Sequence, residues 1–228
     1  MTAQTAGIRT LQRSALLTVP VLLVLLPLFA LALGWWKGAP DWTAIGLGAA
    51  GWLVALMLRG PVAAAVAKQP GERAALIVAS ASGPCEELVR LALVVLLLSG
   101  AEEALWAGFG WGAVEIVYTV VNALVIRSLL GRNDPQAVEA RALLEAQGTL
   151  RADGPVWAFL ERIGATLLHI GFTLLLVWQP WIVLATVPLH SAVNLGIVRL
   201  TRVSLPLAEG LFVALSTTVF ALGAFLVL

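Results

Sequence analysis

Seven long apolar runs follow one another along this chain, separated by short stretches rich in glycine, proline and charge. A helix of about 20 residues, rising about 1.5 Å per residue, crosses a hydrocarbon core of roughly 30 Å. The pattern therefore predicts an all-α, polytopic membrane protein built as a bundle of seven transmembrane helices. The runs cover residues 15–36, 42–59, 74–98, 104–127, 157–178, 181–200 and 205–227.

The breaks between runs carry turn-forming residues, which supports the division into separate helices. The first run is too long for the apolar region of a signal peptide, so we interpret it as a membrane helix. The second run is the shortest of the seven. The predicted turns are at 38–40, 60–61, 70–71, 100, 179–180 and 204–206.

Composition agrees with this class of protein. Hydrophobic residues make up 60% of the chain, charged residues 12%, and the mean hydropathy is +0.95. Soluble domains carry about 25% charged residues, so a soluble protein is excluded. Nothing in the composition supports nucleic-acid binding. Cys85 is the only cysteine, which excludes an internal disulfide and a multi-cysteine metal site.

Lys and Arg are distributed unevenly between the two ends of the predicted helices. Twelve lie at one end and only Lys37 at the other. By the positive-inside rule, this bias predicts a cytoplasmic N-terminus and, with seven spans, a C-terminus outside. The membrane is expected to be the cell membrane of a bacterium. The twelve are Arg9, Arg13, Arg59, Lys68, Arg73, Arg127, Arg132, Arg141, Arg151, Arg162, Arg199 and Arg202.

The chain is predicted to form one integral membrane domain over residues 1–228. Residues 131–156 form its only sizeable polar piece, a cytoplasmic connecting segment. A short amphipathic helix is expected within it, with Pro135 in the first turn.

Ionisable residues interrupt four of the apolar runs near their centres. They are Glu86 and Glu87 in the third run, Glu115 in the fourth, His169 in the fifth and His190 in the sixth. A charge at the centre of the bilayer costs roughly 2.5–3.5 kcal/mol on insertion scales, so such residues persist where they face one another or a water-filled cavity. Their common depth, within about 3 Å by the helical rise, predicts one buried polar site.

Spacing indicates which of these residues interact. Glu86 and Arg90 are four apart and are expected to pair on one helix face, while Glu87 points about 100° away and stays freer. Glycines at 108, 110 and 112 are expected to let the helix of Glu115 approach that of Glu86 closely.

Two further residues accompany the histidines. Glu161 lies eight positions before His169, and we expect it to form a structural pair with a neighbouring arginine. Asn194 follows His190 by one helical turn on the same face. Two hydrogen-bonding side chains at this depth suit an oxyanion site, although helix–helix contact explains Asn194 equally well.

A carboxylate that takes a proton from water, a histidine that orients it and a pair that stabilises an oxyanion together make amide hydrolysis. We therefore expect an intramembrane endopeptidase acting on a membrane-embedded or membrane-anchored protein, with Glu86 as general base and His169 as its partner. Glu87, His190 and Asn194 complete the predicted catalytic set, and Arg90, Glu115 and Glu161 support it. A proton-coupled transporter and an inactive membrane scaffold of the same fold are the alternatives.

At these residues the chain resembles the YhfC family of intramembrane proteases, and more distantly the PrsW proteases and the CAAX-protease and bacteriocin-processing superfamily. The resemblance implies a glutamic mechanism in which Glu86 and a histidine activate water while His190 and Asn194 stabilise the oxyanion. The motifs that carry it are Glu86-Glu87-x-x-Arg90, Gly-Phe-Gly-x-Gly-x-x-Glu ending at Glu115, Glu161-Arg162 followed by His169, and His190-x-x-x-Asn194.

The chain departs from this family at Trp111, where YhfC-like sequences are expected to have a histidine. PrsW-like sequences have an aromatic residue there. The substitution leaves His169 and His190 as the only histidines, so a zinc ion would need a carboxylate such as Glu86 as its third ligand. Either no cofactor or one zinc ion is therefore expected.

Overall fold

The computed structural model describes residues 3–132, 134–146 and 154–228, and within these ranges it contains helices and no strand. Residues 147–153 of the connecting segment, including Arg151, lie outside the described residues. The helices are α1 (Ala3–Lys37), α2 (Trp42–Val66), α3 (Gly71–Leu97), α4 (Ala101–Leu130), α5 (Pro135–Ala146), α6 (Pro155–Trp178), α7 (Val183–Thr201) and α8 (Leu205–Val227), with one turn of 3₁₀-helix at Pro180–Ile182.

Six of these helices are long and apolar enough to cross a membrane: α1, α2, α4, α6, α7 and α8. The chain is therefore an integral membrane protein of all-helical fold. Helix α3 has 27 residues but differs from the six because Glu86, Glu87 and Arg90 lie within it. The short helix expected in the connecting segment is α5, and Pro135 begins it.

The predicted turn at Gly60 and Pro61 is wrong, because both residues lie inside α2, which continues to Val66. A proline inside a helix removes one backbone hydrogen bond but keeps a helical φ, and membrane helices tolerate it. Arg59 is consequently a residue of α2 rather than part of a connection.

Helix α6 is the centre of the bundle. Of its apolar window, 72% is buried inside the protein, against 17–22% for the other five apolar helices. It packs against α8, α4, α1 and α3, whereas α3 lies between α2 and α7. The polar side chains near the middle of α6, such as His169 and Thr173, therefore meet other helices.

The glycines of α4 allow close packing, but not against the helix that the sequence suggested. A Cβ atom at Gly108 would lie 2.6 Å from Ile170 Cα of α6, and one at Gly110 would lie 2.1 Å from the Ile45 carbonyl oxygen of α2. Gly112, four residues after Gly108, again faces α6 at Thr166. The glycines therefore fit α4 between α2 and α6, and the expected approach to α3 was wrong.

Candidate functional site

A cavity of about 880 Å³ lies between α2, α3, α6 and α7. It extends from the buried polar residues to the turn between α2 and α3, where Gln69 and Gly71 are exposed. The cavity therefore joins the interior of the bundle to one of its ends. Of the residues that the sequence singled out, those in its lining are Glu86, Glu115, Glu161, His169, His190 and Asn194.

Glu86 is buried, with 4% of its surface exposed, and both of its oxygens have neighbours. Oε2 accepts a hydrogen bond from the indole Nε1 of Trp111 at 3.1 Å. Oε1 lies 3.3 Å from Arg59 Nη2 and 3.8 Å from His190 Nε2. The second distance is too long for a direct hydrogen bond, so Oε1 and the imidazole face each other but are not bonded.

The expected pair of Glu86 and Arg90 is wrong, because Arg90 pairs with Glu87. Arg90 Nε lies 3.3 Å from Glu87 Oε1, and both side chains are fully buried. Residues three apart on a helix are neighbours just as residues four apart are, so spacing alone did not decide between the two acids. Glu87 is thus the carboxylate that pairs with Arg90, and Glu86 is the one that lines the cavity.

Arg90 connects α3 to the central helix. Its Nη1 donates to the His169 carbonyl at 3.1 Å and to Thr173 Oγ1 at 2.9 Å. Its guanidinium also stacks on the Trp111 ring, with Cζ 4.1 Å from the ring centroid. These contacts satisfy a charge that has no access to water, and they hold α3, α4 and α6 in register.

Both ring nitrogens of His169 are engaged. Arg90 Nη2 lies 2.9 Å from Nδ1, and Glu115 Oε2 lies 2.8 Å from Nε2. Since a guanidinium only donates, Nδ1 must accept, which assigns the ring proton to Nε2, where it is donated to Glu115. His169 is therefore a neutral imidazole held from both sides.

His190 is held from one side only. Its Nδ1 lies 2.7 Å from Glu87 Oε1. Because a carboxylate accepts, Nδ1 carries a proton, and Nε2 faces Glu86 Oε1. When the ring is neutral, Nε2 has the free lone pair. Glu87 thus orients His190 as a carboxylate orients the histidine in many hydrolytic sites.

The remaining acids form a network on the other side of His169. Arg162 Nη1 lies 3.0 Å from Glu115 Oε1, and its Nη2 donates to Glu161 Oε1 at 2.5 Å. The predicted pair of Glu161 with a neighbouring arginine is confirmed. The Glu161 side chain is 40% exposed, so it lies at the mouth of the cavity rather than at its polar floor.

Asn194 lines the cavity one turn beyond His190. Its Nδ2 donates to Ser82 Oγ at 2.7 Å, and Ser82 in turn donates to the Ala79 carbonyl at 2.6 Å. The amide group is thus fixed between α3 and α7. One of its two N–H bonds is used in this contact, and its predicted role in stabilising an oxyanion stays a prediction.

Sequence reasoning missed two residues that shape the site. Trp111 is fully buried and binds Glu86, and Gly51 leaves room for its ring, because a Cβ at Gly51 would lie 2.7 Å from Trp111 Cζ3. Arg59 was assigned to a connection, yet it reaches Glu86. Trp111 stands in the middle of an apolar run, where an indole N–H needs a polar partner, and this signal could have identified it.

A zinc ion held by His169, His190 and Glu86 does not fit this arrangement. His169 would have to release either Arg90 or Glu115 before it could offer a ring nitrogen. Among the residues that the structure describes, no group of three or more His, Cys, Asp or Glu side chains is placed to hold a metal ion. His190 Nε2 and Glu86 Oε1 are the two atoms of the predicted set that face each other across the cavity.

No family model, curated protein or solved structure matches this chain.

Proposed function

We propose that this protein is an intramembrane endopeptidase that hydrolyses a peptide bond of a membrane-embedded or membrane-anchored protein. The observation that carries the proposal is the pair of Glu86 Oε1 and His190 Nε2, 3.8 Å apart in a cavity that reaches the surface. Both atoms can accept a hydrogen bond, and a water molecule beside the pair can donate one to each. The chain lies in a membrane whose interior is otherwise dry, so two bases beside a cavity that reaches the surface are of little use to a purely structural protein.

In the proposed reaction, Glu86 removes a proton from the water while the water oxygen attacks the amide carbon. His190 accepts the second hydrogen bond of that water and holds it in line. The proton taken by Glu86 then passes to the amide nitrogen as the C–N bond breaks, which releases an amine and a carboxylic acid. The free N–H of Asn194 and the guanidinium of Arg59 are the donors available for the negative oxygen of the intermediate.

His190 replaces His169 as the partner of Glu86 in this proposal. Neither nitrogen of His169 is free to bind water, because Arg90 and Glu115 occupy them. His169 instead fixes the position of Arg90, which holds Glu87 and, through it, His190. Its influence on the reaction is therefore indirect.

We also propose that α3 is the seventh membrane span. At about 1.5 Å per residue its 27 residues reach about 40 Å, enough to cross a bilayer. The charged groups at its centre are buried against α2, α4, α6 and α7, where they do not meet lipid. Such an arrangement is the usual one for ionisable residues within a membrane.

Seven spans put nearly all Lys and Arg residues on one side, as the positive-inside rule requires. If α3 did not cross, the later connections would change sides and the bias would be lost. The structure offers support in the contact of Lys37 Nζ with the Leu228 carbonyl at 3.0 Å, which places the end of α1 beside the end of α8. We therefore propose a cytoplasmic N-terminus, an outside C-terminus and a cavity open to the cytoplasm of a bacterial cell.

Substrate trapping tests the proposed activity. Tagged wild-type protein and the Glu86→Gln variant are expressed at equal levels, crosslinked in the membrane and purified, and the captured membrane proteins are identified by mass spectrometry. We expect Glu86→Gln to retain uncut proteins that the wild type releases as two fragments. Glu102→Gln, an exposed acid outside the cavity, is the matched control and should behave as the wild type. Equal cleavage by Glu86→Gln would remove this residue from the mechanism.

A proton-coupled transporter is the second candidate, and a series of polar side chains whose neighbours are at most 3.8 Å apart favours it. The series runs from Arg59 through Glu86, His190, Glu87, Arg90, His169, Glu115 and Arg162 to Glu161. Proton uptake into proteoliposomes, followed with an internal pH dye, distinguishes the two. Proton flux that Glu86→Gln abolishes, with no protein fragment produced by the wild type, would support transport. If the wild type shows no proton flux and produces no protein fragment, the inactive scaffold would be indicated.

Metal dependence is tested directly by elemental analysis of the purified protein. The engagement of His169 leads us to expect activity that does not require zinc. About one zinc per chain, together with loss of cleavage after chelation, would show instead that His169 releases one of its partners to bind the ion.

A further inference from the structure

A second cavity, of about 610 Å³, lies between α1 and α4 at the end of the bundle that carries most Lys and Arg residues. It does not touch the polar site. Its lining includes Arg13 and Arg127, one from each helix, with Gln12 and Ser128 beside them. Both arginines are exposed, and neither forms an ion pair within the part of the chain that the structure describes. Among the described residues, the cavity thus presents two arginines that are not paired with an acid.

The polarity of this cavity changes along the bundle axis. Leu16 lies three residues from Arg13, and Leu124 lies three residues from Arg127, each one turn closer to the centre of its helix. Residues three apart share a helix face, so each arginine stands directly above a leucine. Both leucines are about half exposed, at 49% and 43%. The cavity is consequently cationic at its outer end and apolar at its inner end.

A third arginine, Arg132, also lines the cavity, but it is paired with Asp134 at 2.8 Å. This pair contributes little net charge. The unpaired positive charge therefore comes from Arg13 and Arg127, which line the cavity from α1 and α4.

We infer that this cavity binds one anionic phospholipid, with the phosphate between Arg13 and Arg127 and an acyl chain along Leu16 and Leu124. A guanidinium presents paired N–H donors that match phosphate oxygens, and Gln12 and Ser128 supply further donors for the glycerol region. Basic pockets between helices on the cytoplasmic side suit anionic lipid headgroups, whose leaflet is negatively charged. The cavity has charge at one end and apolar surface at the other, as a lipid molecule does. A soluble phosphate compound would not need the apolar surface.

Lipid competition tests this site. Purified wild-type protein is delipidated, exposed to equal amounts of phosphatidylglycerol and phosphatidylcholine with the same acyl chains, and the first bound lipid is identified by native mass spectrometry. We expect the wild type to prefer phosphatidylglycerol. The double variant Arg13→Gln/Arg127→Gln should reduce that preference about thirtyfold, since two basic groups near the surface contribute about 1 kcal/mol each.

The matched control is Arg199→Gln/Arg202→Gln, which removes the same charge at the same end of the bundle from exposed positions outside the cavity. It should keep the wild-type preference. An equal loss in both double variants, or no preference in the wild type, would overturn the inference. Should the first double variant not fold, each single variant is measured in the same way and is expected to lose part of the preference.

A separate measurement distinguishes a lipid from free phosphate. Phosphatidylglycerol should raise the unfolding temperature of the wild type but not that of Arg13→Gln/Arg127→Gln, whereas inorganic phosphate alone should change neither. Stabilisation by inorganic phosphate alone would show a site for a soluble anion and would overturn the assignment to a lipid.

Discussion

The two histidines of this protein lie in one polar cluster with ring centroids 5.9 Å apart, yet their surroundings differ. His169 is held by Arg90 on one nitrogen and by Glu115 on the other. His190 is held by Glu87 on Nδ1 alone, and its Nε2 faces Glu86 across 3.8 Å. In the region around His169, both ring nitrogens have hydrogen-bond partners. In the region around His190, the imidazole and Glu86 face each other without a hydrogen bond.

This difference separates what holds the bundle together from what is available for chemistry. A buried cluster in which every ring nitrogen is occupied resists change, because any lost partner leaves a polar group without water. A base fixed on one side and open on the other keeps its orientation while it exchanges a proton. Residues of the same type and depth can therefore differ in how many of their ring nitrogens stay available, and their neighbours decide this.

The largest effect is expected on turnover when the two histidines are substituted one at a time. His190→Gln removes the base opposite Glu86, and we expect cleavage to fall on the order of 10²–10⁴-fold with little change in unfolding temperature. His169→Gln is the matched variant, because an amide can accept from Arg90 and donate to Glu115. It should retain activity within about tenfold. Similar losses in the two variants, measured on a captured substrate, would end the distinction between the two regions.

Arg90→Gln should give the largest loss of stability. It leaves Glu87 buried without its charge partner, and breaking such a pair costs about 3–5 kcal/mol. Arg59→Gln, which removes the partly exposed partner of Glu86, should cost about 1 kcal/mol or less. Unfolding titrations in detergent micelles measure both. If Arg90→Gln lowered the free energy of unfolding less than Arg59→Gln does, the view that Arg90 stabilises the cluster around His169 would be contradicted.

Trp111→Phe sharpens the comparison on the Glu86 side. The ring that stacks on Arg90 is largely kept, but the hydrogen bond to Glu86 Oε2 is lost. We expect about a tenfold decrease in kcat with KM unchanged, which corresponds to roughly 1.4 kcal/mol in the barrier. An unchanged kcat would show that Arg59 alone is sufficient to position Glu86.

Glu161→Gln should have the smallest effect. Its carboxylate is 40% exposed, and Arg162 keeps its contact with Glu115 when this partner is removed. Exposed ion pairs contribute about 0.2–1 kcal/mol, so a loss of stability within that range is expected. Glu115→Gln, which also weakens the contact with His169, is the comparison and should cost more. A larger effect of Glu161→Gln would place this residue inside the cluster around His169.

The class of fold and the members of the cluster could be predicted from the sequence because both depend on local pattern. Apolar runs of sufficient length predict membrane helices, and ionisable residues at their centres must turn away from lipid. This reasoning identified Glu86, Glu87, Glu115, His169 and His190, which the structure brings together. It failed at Pro61, because a proline that ends a helix in water is tolerated inside one in a membrane.

Partner choice could not be predicted in the same way. Arg90 is three residues from Glu87 and four from Glu86, and helical spacing permits either pair. The choice is made by α6, whose carbonyl at His169 and hydroxyl at Thr173 draw the guanidinium to one side. The glycines of α4 show the same limit, since their pattern indicates close packing without naming the neighbouring helix.

The sequence by itself determined that this protein lies in a membrane as a helical bundle and that its buried ionisable side chains must meet. These properties follow from the cost of exposing charge to hydrocarbon, which each segment experiences independently. Only the tertiary structure decided that Glu87 pairs with Arg90 while Glu86 faces the cavity, and that both ring nitrogens of His169 are engaged while His190 Nε2 is not. Such outcomes depend on which donors from other helices reach each atom, and those distances exist only when the helices have packed.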